Sequence, residues 1–253
     1  MDVLLLQTDI RWQSPENNRL HAKEIIDASP KADIIILPEM FTTGFCTCPE
    51  GIAEKADSDT FAWMCNIAKE RNSAITGSIA TEENGKYYNR LYFVKPDGGF
   101  YTYNKRHLFS FAGENNIYTA GNERVIAEYC GFRILLQICY DLRFPVFSRN
   151  IGDYDMIIYV ANWPVQRVEA WKTLLPARAI ENQCYVVGVN RTGKDPAAEY
   201  NGGTTLIDFL GKPVVSAEFG KEQSVTGTAN IQLLDKFRKK FPALQDADKF
   251  TIR

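Results

Sequence analysis

Histidine is almost missing from this chain, although it is the side chain that most often serves as a general base in proteins. Only His21 and His107 occur among the 253 residues. His21 lies in a polar stretch with helical spacing, which is typical of a solvated helix face. We therefore expect no nucleophile that is activated by histidine.

Long apolar segments and an excess of one charge are missing as well. No apolar run approaches the ~20 residues that cross a bilayer, and the start of the chain lacks the basic region and the length of a signal peptide. The formal net charge is −2, with acids and bases interspersed. This balance provides no basic face for nucleic acid and no polybasic segment for a membrane surface. We expect a cytoplasmic protein that binds neither of them.

Linkers, internal repeats and low-complexity tracts are also absent from the sequence. The chain has 253 residues, of which 45 % are hydrophobic, so it can bury a substantial core. We predict a single domain over residues 1–253.

Six cysteines are present, and in a reducing compartment they are expected to be free thiols. Cys46 and Cys48 form a lone C-x-C in a loop. Because no second Cys/His cluster accompanies it, we predict no metal site there. Three others lie in apolar or amphipathic surroundings and are predicted to be small buried hydrophobic residues: Cys65, Cys130 and Cys184.

The apolar pattern divides the chain into alternating strands and helices. Strands are predicted near residues 3–8, 33–38, 74–80, 87–94, 125–129, 132–139, 155–161, 184–190, 204–209 and 225–231. Helices are predicted near 15–28, 58–71, 167–182 and 233–240. The alternation indicates an α/β fold with a largely parallel sheet core, and the closely spaced runs within 74–103 indicate antiparallel additions.

Local signals refine this pattern. Asn84-Gly85 is a type I′ turn sequence, and residues 96–99 (PDGG) form a second such turn. Pro176 lies inside the third predicted helix and should kink or restart it, because proline removes a backbone donor.

The side chains that could take part in catalysis are found where predicted strands end. Cys139 follows an apolar run and precedes a polar turn, the position of a nucleophile at a strand end. A free thiol has a pKa of roughly 8.5, so it needs a base or a cation nearby. Two other strand ends deliver Glu39 and Asn162, and Lys105 follows an aromatic-rich strand. Because ligands bind beyond the carboxyl ends of strands in open α/β folds, these side chains could share one site.

Four segments carry a resemblance to a known family: residues 37–41 (LPEMF), 104–109 (NKRHLF), 138–145 (ICYDLRFP) and 162–164 (NWP). Together they resemble the nitrilase superfamily of carbon–nitrogen hydrolases over nearly the whole chain. Residues 42–45 (TTGF), 112–114 (AGE) and 177–183 (ARAIENQ) are most similar to the bacterial omega-amidase branch. The resemblance implies a four-layer α-β-β-α sandwich that pairs through its outer helices, so a homodimer or higher oligomer is expected. The segment after residue 231 packs either across that interface or within its own chain.

The resemblance also implies catalytic roles. Cys139 would be the nucleophile, Glu39 the general base, and Lys105 the cation that stabilises the tetrahedral intermediate. Glu114 would be a second glutamate beside Lys105 and would hold its ammonium charged. The backbone N–H of Tyr140 is well placed to complete an oxyanion hole.

Structural roles compete with each of these assignments. Cys139 could be a core cysteine, Glu39 a turn cap, Lys105 a solvated lysine and Glu114 part of a surface turn. Arg178 and Glu181, three apart on a helix, are predicted to form an ion pair.

The substrate pocket is predicted from the same segments, with Asn162, Trp163, Phe109 and Phe111 as its walls. An omega-amidase also needs a cation for the substrate carboxylate, and two arginines are the candidates: Arg143 and Arg167. Both could instead serve structure, Arg143 by contacts around the nucleophile turn together with Asp141.

The resemblance implies cysteine-dependent hydrolysis of a small linear amide through a thioester, without cofactor or metal. The implied substrates are 2-oxoglutaramate and 2-oxosuccinamate, with release of ammonia. A carbamoylase or a nitrilase of the same superfamily is the enzymatic alternative, and a non-catalytic interaction protein on this fold is the alternative of another class.

Overall fold

Two β-sheets stacked face to face form the centre of the fold. The computed structural model describes residues 1–251. Its strands are β1 (Asp2–Gln7), β2 (Ile34–Ile36), β3 (Glu54–Lys55), β4 (Ala74–Glu83), β5 (Lys86–Val94), β6 (Phe100–Asn104), β7 (Ile126–Tyr129), β8 (Phe132–Ile138), β9 (Met156–Ala161), β10 (Tyr185–Asn190), β11 (Thr192–Lys194), β12 (Glu199–Asn201), β13 (Thr205–Ile207), β14 (Pro213–Ser216) and β15 (Gln223–Thr228). Its α-helices are α1 (Pro15–Ala28), α2 (Asp59–Arg71), α3 (Val168–Asn182) and α4 (Ile231–Lys240).

Each sheet has a parallel centre and antiparallel edges. The first sheet has the order β15-β1-β2-β4-β5-β6, with β1, β2 and β4 parallel, and β3 pairs with β4. The second has the order β14-β13-β10-β9-β8-β7, with β8, β9 and β10 parallel. The carboxyl ends of parallel strands lie at the same end of a sheet. The residues after β2 therefore lie at that end of the first sheet, and those after β8 and β9 at that end of the second.

The sheets and helices stack in four layers. Alternate strand residues point to opposite faces of a sheet, and because both faces are apolar, each must be covered by another layer. Alternate residues of β1, such as Val3 and Leu5, share one core with Ile134 and Leu136 of β8, between the two sheets. The opposite face of the first sheet packs on α1 and α2, and that of the second sheet packs on α3. The prediction of an α-β-β-α sandwich is confirmed.

The predicted elements agree with the structure to within a few residues, and the differences have physical causes. Helix α4 begins two residues earlier than predicted because the Asn230 side chain caps it, accepting from the N–H groups of Gln232 and Leu233. The short strands β3, β11, β12 and β14 were not predicted, since two to four residues show little period. Pro176 lies inside a helix that continues through Asn182.

The two predicted hairpin turns differ. Asn84 and Gly85 have φ of 53° and 72°, as the type I′ prediction requires. In the second turn only Gly98 has a positive φ, and Lys95 N–H donates to Gly99 C=O at 2.8 Å. Residues 96–98 therefore form a three-residue loop, so the prediction of a second type I′ turn was wrong.

The C-terminal segment packs on its own chain. Phe237 of α4 stacks on Phe209 with ring centroids 4.8 Å apart, and Arg238 donates to Asp155 at 2.7 Å. Of the three cysteines predicted to be buried, Cys184 is buried and Cys65 is half-buried, whereas Cys130 is exposed in a turn with φ of 47°, which corrects the prediction for Cys130. Among residues 1–251 no helix has the length and apolar character needed to span a membrane.

Candidate active site

The strand ends of both sheets open into one cavity of about 580 Å³. Glu39 lies three residues after β2 and Lys105 directly after β6, both in the first sheet, whereas Cys139 and Asn162 directly follow β8 and β9 in the second. All four line the cavity. Residues far apart in sequence therefore meet where the two sheets face each other.

The backbone is tightly turned at both Glu39 and Cys139. Met40, just after Glu39, has φ of 42°, and its N–H donates to the Ser78 hydroxyl at 2.9 Å. Cys139 has φ of 44° and begins the 3₁₀ turn Cys139–Arg143. A positive φ is unusual for a residue other than glycine and is often found at functional sites. This turn directs the thiol into the cavity while the strand behind it stays buried.

Lys105 lies between two carboxylates. Its ammonium donates to Glu39 Oε1 at 2.9 Å and to the two oxygens of Glu114 at 3.0 and 3.1 Å. All three side chains are at most 1 % exposed. The Glu114 Oε2 atom also accepts from Phe109 N–H at 2.5 Å, so Glu114 belongs to the buried site and the surface-turn alternative is excluded.

Burial and these charges determine the protonation states. Burial disfavours the Lys105 ammonium, but Glu114 and Glu39 outweigh it and raise the pKa of Lys105 above its usual range. Burial, with the nearby charge of Glu39, raises the pKa of Glu114, although Lys105 opposes this. Burial and Glu39 likewise raise the pKa of the Cys139 thiol well above its usual value, while Lys105 lowers it. The thiol therefore rests protonated, with a carboxylate close by.

Asn89 is a member of this cluster that the sequence reasoning missed. Its Nδ2 atom donates to Glu39 Oε1 at 2.7 Å and to Glu114 Oε1 at 3.3 Å, so it bridges the two carboxylates. Asn89 shares a face of β5 with the core residues Leu91 and Phe93. A lone amide on an otherwise apolar strand face was the signal that could have identified it.

The predicted pocket walls are present, and Asn162 does more than line the cavity. Its backbone N–H donates to Glu39 Oε2 at 2.8 Å, and its Nδ2 donates to the Glu39 carbonyl at 2.6 Å. Trp163 is nearly buried, and its indole N–H donates to the carbonyl of Arg167 at 2.7 Å. Phe109 and Phe111 also line the cavity, and Phe111 is 81 % exposed at its mouth.

Two guanidinium groups lie against these aromatic walls. Arg143 lies 5.1 Å from the Trp163 ring centroid, and Arg167 lies 5.1 and 5.2 Å from those of Phe109 and Phe111. Both line the cavity. Neither forms an ion pair with any residue in the described part of the chain, residues 1–251. Both are therefore cations without an ion-pair partner among residues 1–251, in the cavity that also holds the thiol.

Other cavity walls were not predicted to line the pocket: Trp12, Gln13, Phe45, Cys46, Cys48, residues 196–198 and Tyr200. Residues 196–198 and Tyr200 belong to the β11–β12 hairpin, which was not predicted.

Within residues 1–251 no group of three or more His, Cys, Asp or Glu side chains could hold a metal ion.

Arg178 and Glu181 form the predicted ion pair, with an N···O distance of 2.8 Å. Arg178 also donates to the carbonyl of Leu142 at 2.6 Å, so this pair supports the turn that follows Cys139 from behind.

Comparison with known proteins agrees with this geometry. A family model described as carbon-nitrogen hydrolase matches residues 3–239. The chain is 42 % identical over 255 residues to the omega-amidase YafV of Yersinia enterocolitica, covering 100 % of this chain and 98 % of that protein. It is 34 % identical over 256 residues to the 2-oxoglutaramate amidase of Bacillus subtilis, covering 98 % and 97 %.

A solved structure is similar throughout. XC1258 from Xanthomonas campestris, a CN-hydrolase superfamily protein with an arsenic adduct in its active site, matches with a TM-score of 0.97 at 42 % identity, covering 100 % of this chain and 99 % of that one. The family model spans most of the chain, and these relatives exceed 30 % identity over nearly all of it. The chain therefore belongs to the carbon-nitrogen hydrolases of the nitrilase superfamily and is an amidohydrolase.

Proposed function

We propose that this protein is an omega-amidase in which Cys139 forms a thioester with the acyl part of a small linear amide. The observation that carries the proposal is the buried contact of Lys105 with Glu39 and Glu114, because Lys105 and Glu39 line the cavity that also holds the thiol. It supplies a base, a cation and a nucleophile without histidine.

Acylation begins when the Cys139 sulfur attacks the amide carbon and the thiol proton passes to Glu39. The Lys105 ammonium and the Tyr140 N–H stabilise the oxyanion that forms. When the C–N bond breaks, Glu39 returns the proton to the leaving nitrogen, and ammonia departs. The raised pKa of Cys139 supports this sequence, because a thiol that rests protonated needs a base during attack.

Deacylation uses the same groups in reverse. Glu39 takes a proton from water as the water attacks the thioester carbon, and the C–S bond breaks to release a carboxylic acid and restore the thiol. Glu114 keeps Lys105 charged through its two contacts with the ammonium. Both steps balance in protons and need no other reactant.

The proposed substrate is an ω-amide of a dicarboxylic 2-oxo acid, 2-oxoglutaramate or 2-oxosuccinamate. Arg143 and Arg167 support an anionic substrate, because both are held over aromatic rings in the cavity that also holds the thiol. Guanidinium groups bind carboxylates in a bidentate manner. The names of the relatives from Yersinia and Bacillus point to the same class of amide.

The test is ammonia release from 2-oxoglutaramate by the wild type beside the Cys139→Ala variant. We expect release that is lost in the variant, and a raised KM in Arg143→Gln or Arg167→Gln if that arginine binds the carboxylate. Absence of release by the wild type would overturn the substrate assignment. Carbon dioxide released along with ammonia from a carbamoyl amide would then indicate a carbamoylase, and turnover of an organic nitrile would indicate a nitrilase.

A further inference from the structure

One buried carboxylate outside the proposed catalytic set joins the segment of Lys105 to the segment of Cys139. Asp141 is 0 % exposed. Its Oδ1 accepts from the His107 N–H at 3.0 Å and lies 2.7 Å from His107 Nδ1. Its Oδ2 accepts from the Tyr103 hydroxyl at 2.8 Å and from the Ile138 N–H at 2.9 Å. Both oxygens are thus used, each by two donors.

The donors to Asp141 lie close in sequence to Lys105 and to Cys139. Tyr103 and His107 lie two residues before and two residues after Lys105, while Ile138 immediately precedes Cys139. The Tyr103 hydroxyl also accepts from the Arg106 N–H at 3.1 Å. The chain around the ammonium and the chain around the thiol, which belong to different sheets, are therefore anchored to the same carboxylate.

The orientation of His107 is determined by packing. Its ring stacks on Phe144 with centroids 3.9 Å apart and planes 7° apart, and Phe147 packs against it edge-on. This stacking directs Nδ1 towards Asp141. Phe144 directly follows the 3₁₀ turn that begins at Cys139. The His107–Asp141 contact therefore closes a second link between the two segments.

We propose that Asp141 is a positioning residue that sets the placement of the Lys105 ammonium relative to the Cys139 thiol, with His107 as its partner. This inference rests on the proposed function, because that placement matters only if the two groups act together. An error of about 1 Å in such a placement costs on the order of 100-fold in rate. Oxyanion stabilisation acts in the transition state, so the effect falls on kcat rather than on KM.

The experiment compares Asp141→Asn with Asp155→Asn. Asp155 is also a buried carboxylate, which Arg133 and Arg238 contact at 2.8 and 2.7 Å, but it lies at the opposite end of β8 and β9 from Cys139. For Asp141→Asn we expect kcat to fall about 100-fold with KM nearly unchanged. We also expect slower alkylation of Cys139 by iodoacetamide at each pH, followed on the Cys139 peptide by mass spectrometry. Asp155→Asn should lower the melting temperature and leave kcat and alkylation unchanged.

If Asp141→Asn lowers only the melting temperature, as Asp155→Asn does, Asp141 is merely structural and the proposal is wrong. His107 provides a second test should that variant not fold. His107→Phe keeps the stack on Phe144 but removes the donor, whereas His107→Asn keeps an N–H near the position of Nδ1. We expect slower alkylation and lower kcat in His107→Phe and recovery in His107→Asn, and wild-type rates in both would overturn the proposal.

The alkylation measurement needs no substrate. It therefore separates the two proposals: a wild type that releases no ammonia from any amide contradicts the proposed function, whereas equal alkylation of wild type and Asp141→Asn contradicts the positioning role.

Discussion

Lys105 is removed from water together with two carboxylates, Glu39 and Glu114. Such buried ion pairs are seldom more stable than apolar side chains of the same volume, because desolvation offsets their attraction. Asn89 and the backbone N–H groups of Asn162 and Phe109 supply the remaining hydrogen bonds to the carboxylates. The cluster is therefore better explained by its effect on the reactivity of the neighbouring Cys139 thiol than by a gain in stability.

Replacing Glu39 with glutamine tests the proposed base at the residue scale. The Glu39→Gln variant keeps the shape of the side chain but cannot accept a proton, so we expect kcat to fall by about 100- to 10,000-fold. The measurement is ammonia release from 2-oxoglutaramate. Glu24, whose side chain is 80 % exposed, provides the control variant Glu24→Gln, which should match the wild type. Near wild-type turnover by Glu39→Gln would exclude Glu39 as the base.

The raised pKa of Cys139 predicts a pH dependence for its alkylation. The thiolate is the reactive form, so the rate should still rise steeply between pH 9 and about 10, whereas an ordinary thiol with a pKa of roughly 8.5 has already reached about three quarters of its final rate at pH 9. The rate of iodoacetamide labelling of the Cys139 peptide between pH 6 and about 10 measures this. The peptide with the exposed Cys48 provides an internal comparison. A plateau for Cys139 below pH 9 would contradict the prediction.

At the scale of elements, the site depends on where strands end and what holds the next residue. Lys105 stands directly after β6, and its carbonyl accepts from the Gly121 N–H at 2.9 Å. A Cβ atom at Gly121 would lie 2.2 Å from the carbonyl oxygen of Asn104. Only glycine permits this close approach, so the end of β6 is held by a contact between two backbones.

The Gly121→Ala variant should therefore displace the end of β6 and with it Lys105. We expect it to lose about 1–3 kcal/mol of unfolding free energy and most of its kcat. Gly99→Ala is the control, since a Cβ there meets only the side chains of Lys95 and Asp97, which can move. Thermal denaturation and ammonia release measure both effects. If the two variants lose equal unfolding free energy and equal kcat, the close approach of the Gly121 and Asn104 backbones is not required.

At the scale of the whole molecule, the sandwich leaves apolar side chains on its outer face. Ile180 of α3 is 57 % exposed, and Leu210, in the neighbouring turn, is 48 % exposed. A Cβ at Gly211 would lie 2.7 Å from Ile180, so this turn adjoins the helix. Apolar side chains that are exposed side by side are typical of interfaces. We propose that the protein is a homodimer that pairs through this face of α3.

The Ile180→Glu variant tests this pairing by placing a charge in the expected interface. We expect the wild type to elute as a dimer in size-exclusion chromatography with light scattering, and the variant as a monomer at micromolar concentration. Leu20→Glu, at an exposed leucine of α1, provides the control and should remain dimeric. If the Ile180→Glu variant elutes with the same oligomer mass as the wild type, any interface lies elsewhere.

The elements of this fold could be predicted because they depend on local pattern. Residues 15–28 and 59–71 have helical spacing, and the strand cores are continuous apolar runs, so burial requirements alone identified them. The catalytic candidates Glu39, Lys105 and Cys139 could be named because each interrupts an apolar pattern at a strand end. Asn89 escaped prediction because its role depends on contacts with residues far away in the sequence, and the β11–β12 hairpin because strands of three residues show little period.

The sequence by itself determined the α/β class, the strand ends and the family motifs, since these depend on residue type and spacing along the chain. Only the tertiary structure decided that Glu39 and Lys105, which follow strands of one sheet, meet Cys139 of the other sheet in a shared cavity. It also decided that Asp141 joins their segments and that Arg143 and Arg167 line the same cavity. Distances of about 3 Å between residues 66 positions apart, such as Glu39 and Lys105, arise from the packing of layers, and no local pattern encodes them.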